Sequence, residues 1–186
     1  MSQRLTKHEL TELPSQSIAA LLLLNLPNAT DAFIALANVL NRPLPLSFYV
    51  NDIGAKTSAY NLVLQTLKTK SAGLHDHLTR VIPEAEPDDY LGSVFTALFT
   101  CSLTIDEAAR LWDVYVFEGD AVIVRAAIAL LMQEELAIVG CGSVGQVREL
   151  LSGGGGSSNS KRQKKAVGEV GAEDRWMKGV REAGRS

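Results

Sequence analysis

The chain has 186 residues, 46% hydrophobic and 21% charged, with a net charge of −3, which is long and apolar enough for one domain with a real core. Continuous apolar runs such as residues 18–24 fall far short of the roughly 18 needed to span a bilayer, and the polar start MSQRLTKHELTELP lacks the apolar stretch of a secretory signal. Two cysteines, Cys101 and Cys141, give neither a disulfide framework nor metal-ligand spacing, so no metal or cofactor is expected and reduced thiols in a cytoplasmic setting are.

Breakers and caps divide the chain into helices. The first is expected over residues 14–24, and Asn28 or Thr30 caps a second ending near Leu40. Residues 41–45, NRPLP, read as a turn, because Pro43 and Pro45 each disfavour helix at the residue before them. Helices over 55–68, 71–82 and 87 or 88 to 99 follow. No stretch sustains the alternation of a half-buried strand, so the fold class expected is all-α.

Residues 104–135 carry the strongest local signal. Thr104 and Glu107 have the spacing of a capping box. Ile105, Ala108, Ala109, Leu111, Trp112, Tyr115 and Val116 then trace one buried helical face, with Trp112 in the core. Gly119 ends that helix and Asp120 is expected to cap the next. Residues 121–132 are almost all apolar, with Arg125 their only charge. A guanidinium there needs a carboxylate, so Arg125 is expected to be buried and paired with Asp113 or Glu118.

The string RLWDVYVFEGDAVIVRAAIALL resembles the R-[IL]-W-D-x-[FLY]-[FLV]-x-E-G signature near the end of the TBC domain of Rab GTPase-activating proteins. The preceding DDYLGSVFTALFTCSLTIDEAARLWD and the upstream IAALLLLNLPNATDAFIALANVLNRPLP fit the same family. The resemblance implies a multi-helix TBC-like domain over residues 15–151, truncated at its front, with an atypical segment at 1–14. The motif residues are Arg110, Trp112, Asp113, Glu118, Gly119 and Arg125. It also implies a Rab-type small GTPase as partner and a place in vesicle trafficking. Family members insert an arginine from I-x-x-D-x-x-R and a glutamine from Y-x-Q-G-M into the GTPase site, and arginine fingers are worth roughly 10³ to 10⁵ in rate. Nothing before Ile18 matches the first motif, and Thr11, Glu12 and Leu13 stand where Y-x-Q should. Gln16 is the remaining candidate for the glutamine. The chain is therefore expected to be a fragment that does not itself activate GTP hydrolysis. The alternative is a helical scaffold module with no GTPase contact.

Residues 152–186 read as a flexible tail. They carry eight basic and four acidic residues, +4, which leaves −7 of the total −3 on residues 1–151. A Gly/Ser-rich linker precedes KRQKK at 161–165, which reads as a solvated charged run with no nucleic-acid partner. Peripheral membrane association, through the partner or this tail, is the membrane contact left open. Trp176, Met177 and Val180 have helical spacing and offer a face that could dock on the domain, though they are too few to fold alone.

Three other motifs carry less. GCGSVG at 140–145 matches a dinucleotide-binding turn, but the second strand with its acidic residue would fall in the Gly/Ser linker, so the glycines are read as a helix end before a last short helix at 144–151. His75 and His77 lie on nearly opposite sides of a helix and are expected at the surface. Asp88 and Asp89 suit the exposed amides of a helix start.

Overall fold

In the computed structural model, which describes residues 14–82, 85–152 and 171–185, every regular element is helical. Helices α1 (Pro14–Asn25) and α2 (Ala29–Leu40) form a hairpin, and Asn28 caps α2 by accepting a hydrogen bond from the Asp31 amide at 2.8 Å. After α3 (Pro43–Tyr49) comes the long α4 (Ile53–Lys70), capped by Asp52. The expected turn at 41–45 is corrected here. Pro43 stands at the first helical position and Pro45 in the same turn, where the amide each lacks has no intrahelical partner to lose.

The helix expected over 71–82 forms over 72–81 but changes type along its length. It divides into α5 (Ala72–Asp76) and a π-turn, His77–Val81. Helix α6 (Pro87–Thr96) stops three residues before the expected Phe99. Leu98 and Phe99 instead take left-handed conformations, φ 48° and 69°, and both are completely buried. Left-handed backbone costs roughly 1–2 kcal/mol per non-glycine residue. Burying a leucine and a phenylalanine returns about 1.5–3 kcal/mol each, so packing decides the conformation.

Helices α7 (Ile105–Glu118) and α8 (Asp120–Gln133) form the second hairpin, followed by α9 (Glu135–Val139) and α10 (Val144–Leu151). Residues 136–139 are thus helical, and no strand precedes the GCGSVG segment among the described residues. Helix α8 is the centre of the domain. Every residue from Val122 to Leu131 except Arg125 is buried, because α4, α6, α7, α9 and the C-terminal helix surround it.

A last helix, α11 (Ala172–Ala183), packs on α7 and α8 and buries Trp176, Met177, Val180 and Ala183. The expectation of a flexible tail from 152 is corrected for this part. The sparse apolar residues cannot hold a helix alone, but a ready-made apolar surface on α7 and α8 lets them. The KRQKK run lies outside the described residues.

An aromatic cluster ties the first half to the second. Phe95 of α6 stacks on Phe48 of α3 (4.8 Å, 13°) and meets Tyr60 of α4 and Phe99 edge-on at 6.0 and 6.4 Å. Beside it, Asp88 accepts from the Tyr60 hydroxyl at 2.5 Å and from Lys56 at 2.7 Å, while Asp89 pairs with Arg148 of α10 at 2.9 Å. Burial disfavours the Asp88 carboxylate, but the hydrogen bonds from Lys56 and Tyr60 outweigh it and hold the carboxyl below its ordinary value. Each of the two aspartates expected to serve a helix start therefore also ties α6 to another helix.

Candidate functional site

The α7–α8 hairpin carries the sequence signature, and its geometry begins at the capping box. The Glu107 amide donates to the Thr104 hydroxyl at 3.3 Å, and the Thr104 amide donates to the Glu107 carboxylate at 3.0 Å. This fixes the phase of α7 and points Trp112 inward, where its Nε1–H donates to the Leu98 carbonyl at 3.1 Å. The indole thereby satisfies a carbonyl inside the left-handed turn. Trp112 also meets Tyr115 edge-on at 6.1 Å.

At the far end Gly119 adopts φ 78°, ψ −160°, a conformation costly for any residue with a Cβ, and it turns the chain into α8. Asp120 does not cap α8 as expected. Its carboxylate accepts from the Leu44 amide at 2.9 Å and from the Tyr115 hydroxyl at 3.2 Å, so it caps α3 instead. Arg42 completes the junction by donating to the Tyr115 carbonyl at 3.0 Å, with its guanidinium 4.5 Å from the Tyr115 ring centroid. Burial and the Asp120 charge push the Tyr115 phenol well above its ordinary value, so it stays a neutral donor. Sequence reasoning missed Arg42 and the second use of Asp120, because both partners lie more than seventy residues away.

The charged motif residues separate into two surface pairs. Arg110 and Asp113 face outward on α7, 3.9 Å apart. Glu118 pairs with Arg125, which settles the choice of carboxylate in its favour over Asp113. The expected burial of Arg125 is corrected. Its side chain is 26% exposed and that of Glu118 is 51% exposed, because Arg125 lies at the edge of α8 where α11 ends. Such a pair is worth about 0–1 kcal/mol, with a further small term for the stem packed beside Gly184. Arg125→Ala should therefore lower stability by no more than about 1.5 kcal/mol, read as a shift in urea midpoint. A loss of about 3 kcal/mol or more would show a buried tie after all.

The outer face of α7 presents Asp106, Arg110, Asp113 and Phe117 in a stripe, and Phe117 is 89% exposed. Gln16 sits in the first turn of α1 with its side chain exposed, on the same face as Ala20, Leu23 and Leu24. On α2 Phe33 and Ile34 are exposed as well, whereas Leu21 and Leu22 are buried. The histidine expectation is corrected for His77, which is buried with Nε2 3.0 Å from the Cys141 carbonyl. Among the described residues no helix is long and apolar enough to cross a membrane.

The sequence profile described as Rab-GTPase-TBC domain matches residues 15–139. TBC domain-containing protein C23D3.03c of Schizosaccharomyces pombe is 37% identical over 113 residues, 61% of this chain and 24% of that protein. TBC1 domain family member 12 of Rattus norvegicus is 34% identical over 119 residues, and member 14 of Bos taurus 35% over 114. Each of those alignments spans 61% of this chain and 16% of the relative. The chain thus spans a quarter or less of the curated relatives that it matches, and by its profile match over residues 15–139 it belongs to the Rab-GTPase-TBC domain family.

Proposed function

We propose that this chain binds a GTP-loaded, Rab-type small GTPase at the cytoplasmic face of a trafficking membrane and does not itself accelerate GTP hydrolysis. The observation that carries the reading is the division of the signature hairpin. Trp112 and Gly119 are used inside the domain and Glu118 and Arg125 are engaged with each other at its rim, while Arg110, Asp113 and Phe117 stand outward and are available to a partner. Catalysis in trans needs a guanidinium or carboxamide to reach the transferred phosphoryl group. The sequence carries neither finger motif, and Gln16 alone is exposed near the position where the glutamine belongs.

A phosphate-release screen across a Rab panel, run beside a binding assay with each GTPase loaded with a non-hydrolysable GTP analogue, tests both halves. Binding of at least one GTP-form Rab with no rate increase is the expected result. Acceleration of about 100-fold or more, lost in Gln16→Ala, would assign Gln16 as a finger and overturn the second half. Absence of binding to every Rab would favour a helical scaffold with no GTPase contact.

A further inference from the structure

Helix α11 is attached differently from the rest of the domain. Twelve residues is at the lower edge of what persists alone in water, so α11 is helical because it is docked. It enters through Gly171 at φ 89° with no side-chain cap. Its apolar side consists of Trp176, Met177, Val180 and Ala183, and its outer side is charged. The buried Trp176 Nε1 has no hydrogen-bond partner among the described residues, which subtracts from the gain of burying the ring.

Its other end is gripped. Lys70, the last residue of α4, donates from Nζ to the Glu182 carbonyl at 3.0 Å and to the Arg185 carbonyl at 2.6 Å. A helix C-terminus leaves its last carbonyls without intrahelical donors and carries partial negative charge, so an ammonium there satisfies both. Gly184 lies so close to Arg125 that an added Cβ would stand 2.4 Å from Arg125 Cδ, which fixes how far α11 can settle. The ties of α7 and α8 to α3, α4, α6 and the Leu98–Phe99 turn do not pass through α11.

We propose that α11 is a reversible strap, leaving α7 and α8 as one unit while the rest of the domain stays folded, with Lys70 as its catch. Opening uncovers the apolar faces of α7 and α8 beside the Glu118–Arg125 pair, so the exposure of the signature hairpin depends on the strap. The inference is independent of which GTPase, if any, the chain binds.

Native-state hydrogen exchange on the full chain tests it. Amides of 174–183 should exchange at least about tenfold faster than those of 122–131, through an opening whose denaturant slope is clearly above zero but well below that of global unfolding. Lys70→Met should speed exchange in α11 by about a further tenfold, the scale of one charge-assisted hydrogen bond, and leave 122–131 unchanged, while Lys70→Arg keeps the catch. Equal exchange of α11 and α8 in the parent would overturn the proposal. So would a Lys70→Met change that moves both helices together or neither. Trp176→Ala is the second variant: it should leave α11 unprotected in a chain that still melts cooperatively, and loss of the cooperative melt would make α11 an inseparable part of the core.

Discussion

Trp112→Ala should cost about 3–5 kcal/mol of unfolding free energy, a large share of what a domain of this size has to lose. Two losses combine. The buried indole leaves a cavity on the inner face of α7 beside the Leu98 turn, and its edge-on contact with Tyr115 disappears. The Leu98 carbonyl also loses the donor that satisfies it inside a left-handed turn. Trp112→Phe separates the two, since it keeps most of the ring and removes only the N–H, with an expected cost of about 1–3 kcal/mol. Urea unfolding followed by circular dichroism measures both. An alanine variant within about 1 kcal/mol of the parent would mean that the turn holds itself and the indole only fills space.

Phe95→Ala should be of similar size, for another reason. Phe95 is 1% exposed, and its three aromatic neighbours come from α3, α4 and the residue after the left-handed leucine. Removing a buried phenylalanine costs about 3–5 kcal/mol, within which each good ring pair is worth roughly 0.5–1.5 kcal/mol beyond its area. For a chain of this length that is a fall in melting temperature of roughly 6–20 °C. Phe48→Ala is the control. It removes the stacked partner while leaving α6 against α4, so it should cost less than Phe95→Ala, and the reverse order would place the centre of the cluster on α3.

The helices with local punctuation were legible from the sequence. Asn28 and Thr104 cap helices in the manner their spacing predicts, and of the apolar run expected over 121–132 the residues 122–131, Arg125 apart, are buried in α8. Family membership was legible too, since it rests on a contiguous string. What was not legible depends on partners distant in sequence. Pro43 could open a helix or a turn, and Asp120 decides it by holding the Leu44 amide from 76 residues away. The end of α6 carries no glycine to announce left-handed backbone, because tertiary burial of Leu98 and Phe99 imposes it. Arg125 looked buried because its neighbours in sequence are apolar, yet its position falls at the rim of the helix. The helical spacing of Trp176, Met177 and Val180 made docking of α11 conceivable, but the surface on α7 and α8 that receives them was not legible.

The long-range ties have a consequence for the order in which the molecule can be made. Ser17 meets Thr100, Arg42 meets Tyr115, and Leu44 meets Asp120 across 83, 73 and 76 residues. In a growing polypeptide α1 to α3 leave the ribosome long before these partners exist. At 5–20 residues per second they wait roughly 4–16 s with the apolar sides of Ile18, Leu22 and Phe48 uncovered. Synthesis of this helical chain thus passes through an interval of exposure more familiar from sheet proteins.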